Sequence, residues 1–82
     1  MTIDEWFYDS VPELYEEYIA AHDKHPVFPT PGKHEMTIIV EELGEAAQAY
    51  NDGDYRNAIT EIDHTITTLL RWRRKIKEGV GR

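Results

Sequence analysis

The chain has no cysteine, so no disulfide can hold it together. It also lacks an apolar run long enough to span a bilayer. Its first residues, Met1-Thr2-Ile3-Asp4-Glu5-Trp6, have neither the basic start nor the apolar stretch of a signal peptide. These absences lead us to expect a cytoplasmic protein with no membrane partner. Positive charge is scarce over most of the length. Residues 1–70 hold 15 acids against 3 Lys or Arg. Such a balance disfavours binding to nucleic acid backbones, so no nucleic acid polymer is expected as a partner.

The positive charge gathers at the end. Residues 71–82 hold six bases (Arg71, Arg73, Arg74, Lys75, Lys77 and Arg82) and one acid, Glu78. Two readings fit: these bases meet phosphates, or they complement the dipole at a helix C-terminus. With 82 residues the chain makes one small domain with a modest core. Residues 1–9 read as an N-terminal arm or turn and 79–82 as a tail.

The pattern between them is all-α, with three helices. Ser10-Val11-Pro12-Glu13 resembles a capped helix start, followed by apolar residues at Val11, Leu14, Tyr15, Tyr18, Ile19 and His22. Pro26 should stop this helix near His25. A Pro-rich connection follows, in which Thr30 or a following residue caps helix two. That helix should run from about Pro31 or Lys33 to Tyr50 and carry a stripe of Met36, Ile39, Val40, Leu43, Ala46/Ala47 and Tyr50. Asn51-Asp52-Gly53-Asp54 is a turn. Asp54 caps helix three, which reaches about Glu78 with a stripe of Tyr55, Ala58/Ile59, Ile62, Ile66, Leu69/Leu70 and Ile76. So short a turn makes helices two and three an antiparallel hairpin. Nine aromatic residues are a heavy load for so small a core. We therefore expect a homodimer or homotetramer in which two hairpins form a four-helix bundle.

Acidic residues in the hairpin point to chemistry. Residues three apart share a helix face. Glu42 and Glu45 share one such face, and Glu61 and His64 share another. Crowded carboxylates repel, and a divalent cation relieves that repulsion. The oxygens suit Mg²⁺ or Mn²⁺, with His64 tilting the preference toward Mn²⁺ or a later metal. The plain structural alternative is an exposed acidic helix face beside a surface histidine.

The string Glu41-Glu42-Leu43-Gly44-Glu45, the turn Asp52-Gly53-Asp54 and then Glu61 in an apolar helix carry a resemblance. The segment EELGEAAQAYNDGD is its most specific part. It is similar to the MazG-like all-α nucleoside triphosphate pyrophosphohydrolases, whose pattern is EExxE, a spacer and ExxD. The likeness covers roughly residues 34–75. It implies that Glu42, Glu45, Glu61 and position 64 bind Mg²⁺, with Glu41 supporting the attacking water. It implies cleavage of a nucleoside triphosphate between its α- and β-phosphates, and an oligomer. The pattern breaks at His64, where the family has Asp; Asp63 beside it points about 100° away. The alternatives are a degenerate module that binds nucleotide or a partner protein, and a carboxylate-bridged redox metal bundle. Lys33, Arg71, Arg74 and Lys75 are candidates to meet phosphates. Trp72, Trp6 or Phe28 are candidates to stack on a base, although Trp72 also fits the core. His22, His25 and His34 read as surface or hinge residues, with His34 nearest the pocket.

Overall fold

The structure, a computed structural model, describes residues 1–29, 32 and 34–80. The described residues form three helices and no strand: α1 (Ile3–Lys24), α2 (Glu35–Asn51) and α3 (Tyr55–Val80). The expected cap at Thr30 and the expected starts of helix two at Pro31 and Lys33 lie outside the described residues.

Helix α1 starts earlier than the sequence reading has it. Thr2 caps it, its hydroxyl oxygen accepting from the Glu5 N–H at 3.2 Å. Thr2 and Glu5 stand at capping-box spacing, so residues 3–9 are helical rather than a turn. Pro12 consequently lies inside the helix. It lacks the N–H that would reach back one turn, a local cost the continuing helix absorbs. The helix ends at Lys24, as the following proline requires.

Helix α2 is capped by His34, whose Nδ1 accepts from the Met36 N–H at 3.1 Å. Between α2 and α3 the chain turns on Gly53, at φ 78°, a conformation open to glycine. The Asp54 carboxylate accepts from the Asn57 N–H at 3.2 Å and caps α3. Helix α3 runs through Gly79 to Val80 instead of stopping at Glu78.

The hairpin seam takes only part of the apolar stripes read from the sequence: Ile39, Ala46 and Ala58 are buried in it. Beside Ile39 its buried residues are small: Ala46 and Ala49 on α2, with Ala58, Thr65 and Thr68 on α3. Short side chains let the two helices approach closely. The larger members of the stripes stay outside. Met36, Val40, Leu43 and Tyr50 are exposed on α2, and Tyr55, Ile59, Ile62, Leu69, Leu70 and Ile76 on α3. At about 100° per residue these side chains lie on one flank of the seam, and Glu42, Glu45, Glu61 and His64 lie on the other. The hairpin is therefore a two-helix layer with one apolar face and one acidic face. Helix α1 packs on α3 alone and makes no close backbone approach to α2. None of its residues is fully buried.

Candidate metal centre

The acidic face is built by local periodicity and then tied together by tertiary contacts. Glu42, half-buried on α2, accepts a 2.6 Å hydrogen bond from the Thr68 hydroxyl of α3. Burial pushes the Glu42 carboxyl above the usual range, and the Thr68 bond opposes that only in part. Glu45 is also pushed up, first by its hydrogen bond with Glu61 and then by the charge of that carboxylate. Glu61 has a side chain only 15% exposed. Its Oε2 atom is buried with no hydrogen-bond partner. An orphaned carboxylate oxygen in a buried place is costly, and beside two other carboxyls it is more so.

His64 does not close this group into a cage. Its Nδ1 is 3.7 Å from Glu61 Oε2, while its Nε2 is 3.1 Å from Glu17 Oε2 of α1. Glu17 is the residue that sequence reasoning missed. No spacing rule connects position 17 to position 64, because only the packing of α1 on α3 brings them together. Among the described residues no group of three or more His, Asp or Glu side chains is drawn together closely enough to hold a metal ion. The donor types suit a hard cation, and the unpartnered oxygen of Glu61 fits one. A cation there would have to gather side chains that now stand apart. Glu41 is exposed, and its charge adds to the upward shifts of Glu42 and Glu45.

Beside this face lies a cavity of about 390 Å³ between α1 and the hairpin. Glu42, His64 and Glu17 line one part of it, and Phe28 and Arg71 another. Its volume is in the range of small-ligand sites. Arg71 is half-buried and already engaged. It donates to the carbonyl oxygens of Ala21 and His25 at the end of α1 and lies 5.1 Å from the Phe28 ring centre. The expected phosphate contact thus serves first to tie α1 to α3. Arg74 pairs with Glu78 at 2.9 Å and Lys75 pairs with Glu35. With Arg71 they line a smaller cleft of about 240 Å³ around Tyr18 and His22. Trp72 is half-buried and Trp6 is exposed. Lys33 lies outside the described residues. His34 acts as the α2 cap, while His22 and His25 are exposed, as surface or hinge residues should be.

The Thr68 bond is open to test. Thr68→Val keeps the shape and removes the donor, so Glu42 should rise further and the fold should lose about 1 kcal/mol in denaturant unfolding. An unchanged midpoint would mean that the hydroxyl contributes nothing to the site. No helix among the described residues is long and apolar enough to cross a membrane. Comparison of the chain with protein-family models, curated proteins and solved structures finds no match.

Proposed function

We propose that this chain is a metal-dependent nucleoside triphosphate pyrophosphohydrolase, releasing a monophosphate and pyrophosphate. One observation carries the reading: Glu42, Glu45 and the orphaned Oε2 of Glu61 share an acidic face beside a cavity of small-ligand size. Carboxyls held above their usual range lack a counter-charge, and a divalent cation is the counter-charge that such oxygens suit. The MazG-like string from Glu41 to Asp54 points the same way.

Glu42, Glu45, Glu61 and His64 would hold Mg²⁺ or Mn²⁺. When bound, such an ion neutralises phosphate oxygens and lowers the barrier to attack by water. The chain's own residues supply the rest. Thr68 orients Glu42 through its hydroxyl, and Glu41 is the acid assigned to the attacking water. Phe28 offers an aromatic surface and Arg71 positive charge in the cavity, and Arg74 and Lys75 stand in the neighbouring smaller cleft. Trp72 belongs to the packing of α3. The exposed apolar side chains of α2 and α3 nearest the turn, Leu43, Tyr50, Tyr55, Ile59 and Ile62, suit a second copy, giving a homodimer or a larger homo-oligomer with the acidic faces outward.

A second reading rests on His64. A histidine held by Glu17 at 3.1 Å, in the position where the family motif has an acid, fits a module that binds nucleotide without hydrolysing it. One assay separates the two. The protein is incubated with a panel of nucleoside triphosphates and Mg²⁺ or Mn²⁺, and pyrophosphate is measured. Release supports the enzyme; binding without release supports the module; neither, from a folded protein, removes both.

A further inference from the structure

The apolar stripe of α1 is continuous, but this chain covers only half of it. Ile3, Phe7, Leu14, Tyr18 and Ala21 fall on one side of the helix at about 100° per residue. Leu14, Tyr18 and Ala21 are half-buried. Ile3 and Phe7 are 87% and 65% exposed, and Trp6 beside them is 63% exposed. An isolated helix end of this length is marginal in water without a packing partner.

The whole chain carries the same imbalance. It exposes 6434 Å². A compact monomer of 9.6 kDa exposes about 5,100 Å². The excess of about 1,300 Å² exceeds the roughly 800 Å² per partner that a standard interface covers.

Charge says where the arm fits. Residues 1–21 contain six acids and no Lys, Arg or His. Asp9 and Glu13 stand one turn apart on the face of α1 that carries Trp6. On the exposed flank of α3, Arg73 and Lys77 also stand one turn apart, among Leu69, Leu70 and Ile76, which are 42–47% exposed. Among the described residues none of these four charges makes an ion pair. The matched spacing, opposite charge and adjoining apolar surface converge on one occupant.

We infer that the N-terminal half of α1 docks on the C-terminal end of α3 in a second copy of the chain, with the exchange reciprocated. The aromatic and aliphatic side chains of the arm cover Leu69, Leu70 and Ile76, and Asp9 and Glu13 face Arg73 and Lys77. A two-fold arrangement repeats the contact and closes the assembly. The inference is independent of the proposed hydrolysis, since none of these residues belongs to the acidic face.

The test uses the full chain in two variants, Asp9→Lys with Glu13→Lys, and Arg73→Glu with Lys77→Glu. Sedimentation equilibrium should show the parent self-associating and each variant weakened about tenfold or more by like-charge juxtaposition. Mixed together, the two variants should associate as tightly as the parent, because each arm then meets an opposite charge on the other chain. In a Trp72→Phe background, Trp6 emission should shift to the blue as concentration rises, and Ile3→Ser with Phe7→Ser should abolish the shift. A parent that is monomeric at all concentrations overturns the inference. So does a mixture no tighter than its components, or Ile3→Ser with Phe7→Ser leaving association unchanged while circular dichroism shows the helices retained.

Discussion

Glu45→Gln should make the metal-free protein more stable at neutral pH while weakening the proposed binding of Mg²⁺ or Mn²⁺ by about tenfold to a hundredfold. The two effects share one cause. Glu45 is exposed, yet its carboxyl is held above the usual range by Glu61, first through a hydrogen bond and then through charge. The folded chain therefore holds a proton on Glu45 more tightly than the unfolded chain does. That contribution to stability is fully present below the unfolded carboxyl's pKa and is lost as pH rises through the higher folded value. At neutral pH the ionised pair opposes folding. Glutamine removes that repulsion without changing the size of the side chain. The gain should therefore appear in thermal melts at neutral pH and vanish near pH 4, where carboxyls are protonated in either state. Titration calorimetry supplies the second measurement. A variant that melts lower at neutral pH and binds the divalent ion like the parent would remove Glu45 from the site.

The same residue shows what was legible in the sequence. Glu42, Glu45, Glu61 and His64 fall on one flank of the hairpin because helical spacing is local and the turn at Gly53 is written in the residues around it. The three-helix order and the Asp54 cap are legible for the same reason. The seam is legible only in part. A repeat of Val, Leu and Ile marks an apolar flank but does not say what covers it. Here Ile39 is buried with the smaller Ala46, Ala49, Ala58, Thr65 and Thr68, which permit the closer approach. The other long apolar side chains are left for another surface. The start of α1 was obscured by Pro12, which fits the first turn of a helix so well that Ser10 looks like its cap. Thr2 and Glu5 make the same signal eight residues earlier, without a proline to mark it. Glu17 had no local signal at all. Its relation to His64 comes from how α1 crosses α3, and the Arg71 bonds to Ala21 and His25 help to hold that crossing.

His64→Asp should supply the acid that the proposed MazG-like reading expects at position 64, yet the metal-free variant should be less stable than the parent. The reason lies in Glu17. His64 Nε2 stands 3.1 Å from Glu17 Oε2, an attractive contact that joins α1 to α3. An aspartate at the same position is shorter and negative. It would face Glu17 and Glu61, with Asp63 next to it, whose carboxyl is already pushed up by burial and by the charge of Glu17. The His64 and Glu17 side chains are 40% and 37% exposed, so the loss should be modest, about 1 kcal/mol or less. Adding Glu17→Gln should return most of it, because the new repulsion then has one charge fewer. Mg²⁺ should stabilise His64→Asp more than it stabilises the parent, since the ion meets an additional hard oxygen ligand. If hydrolysis is limited by the donor at position 64, pyrophosphate release should rise about tenfold or more over the parent, as expected when a transition-state charge contact is gained. Melting curves with and without Mg²⁺, run beside the pyrophosphate assay, distinguish the possible results. A variant that gains Mg²⁺ stabilisation without gaining turnover binds the ion but is limited elsewhere, and Glu41 becomes the next residue to vary. A variant that gains neither, while Glu17→Gln restores its stability, identifies position 64 as part of the α1–α3 contact and not of the metal centre. In that case Glu42, Glu45 and Glu61 alone carry the acidic face.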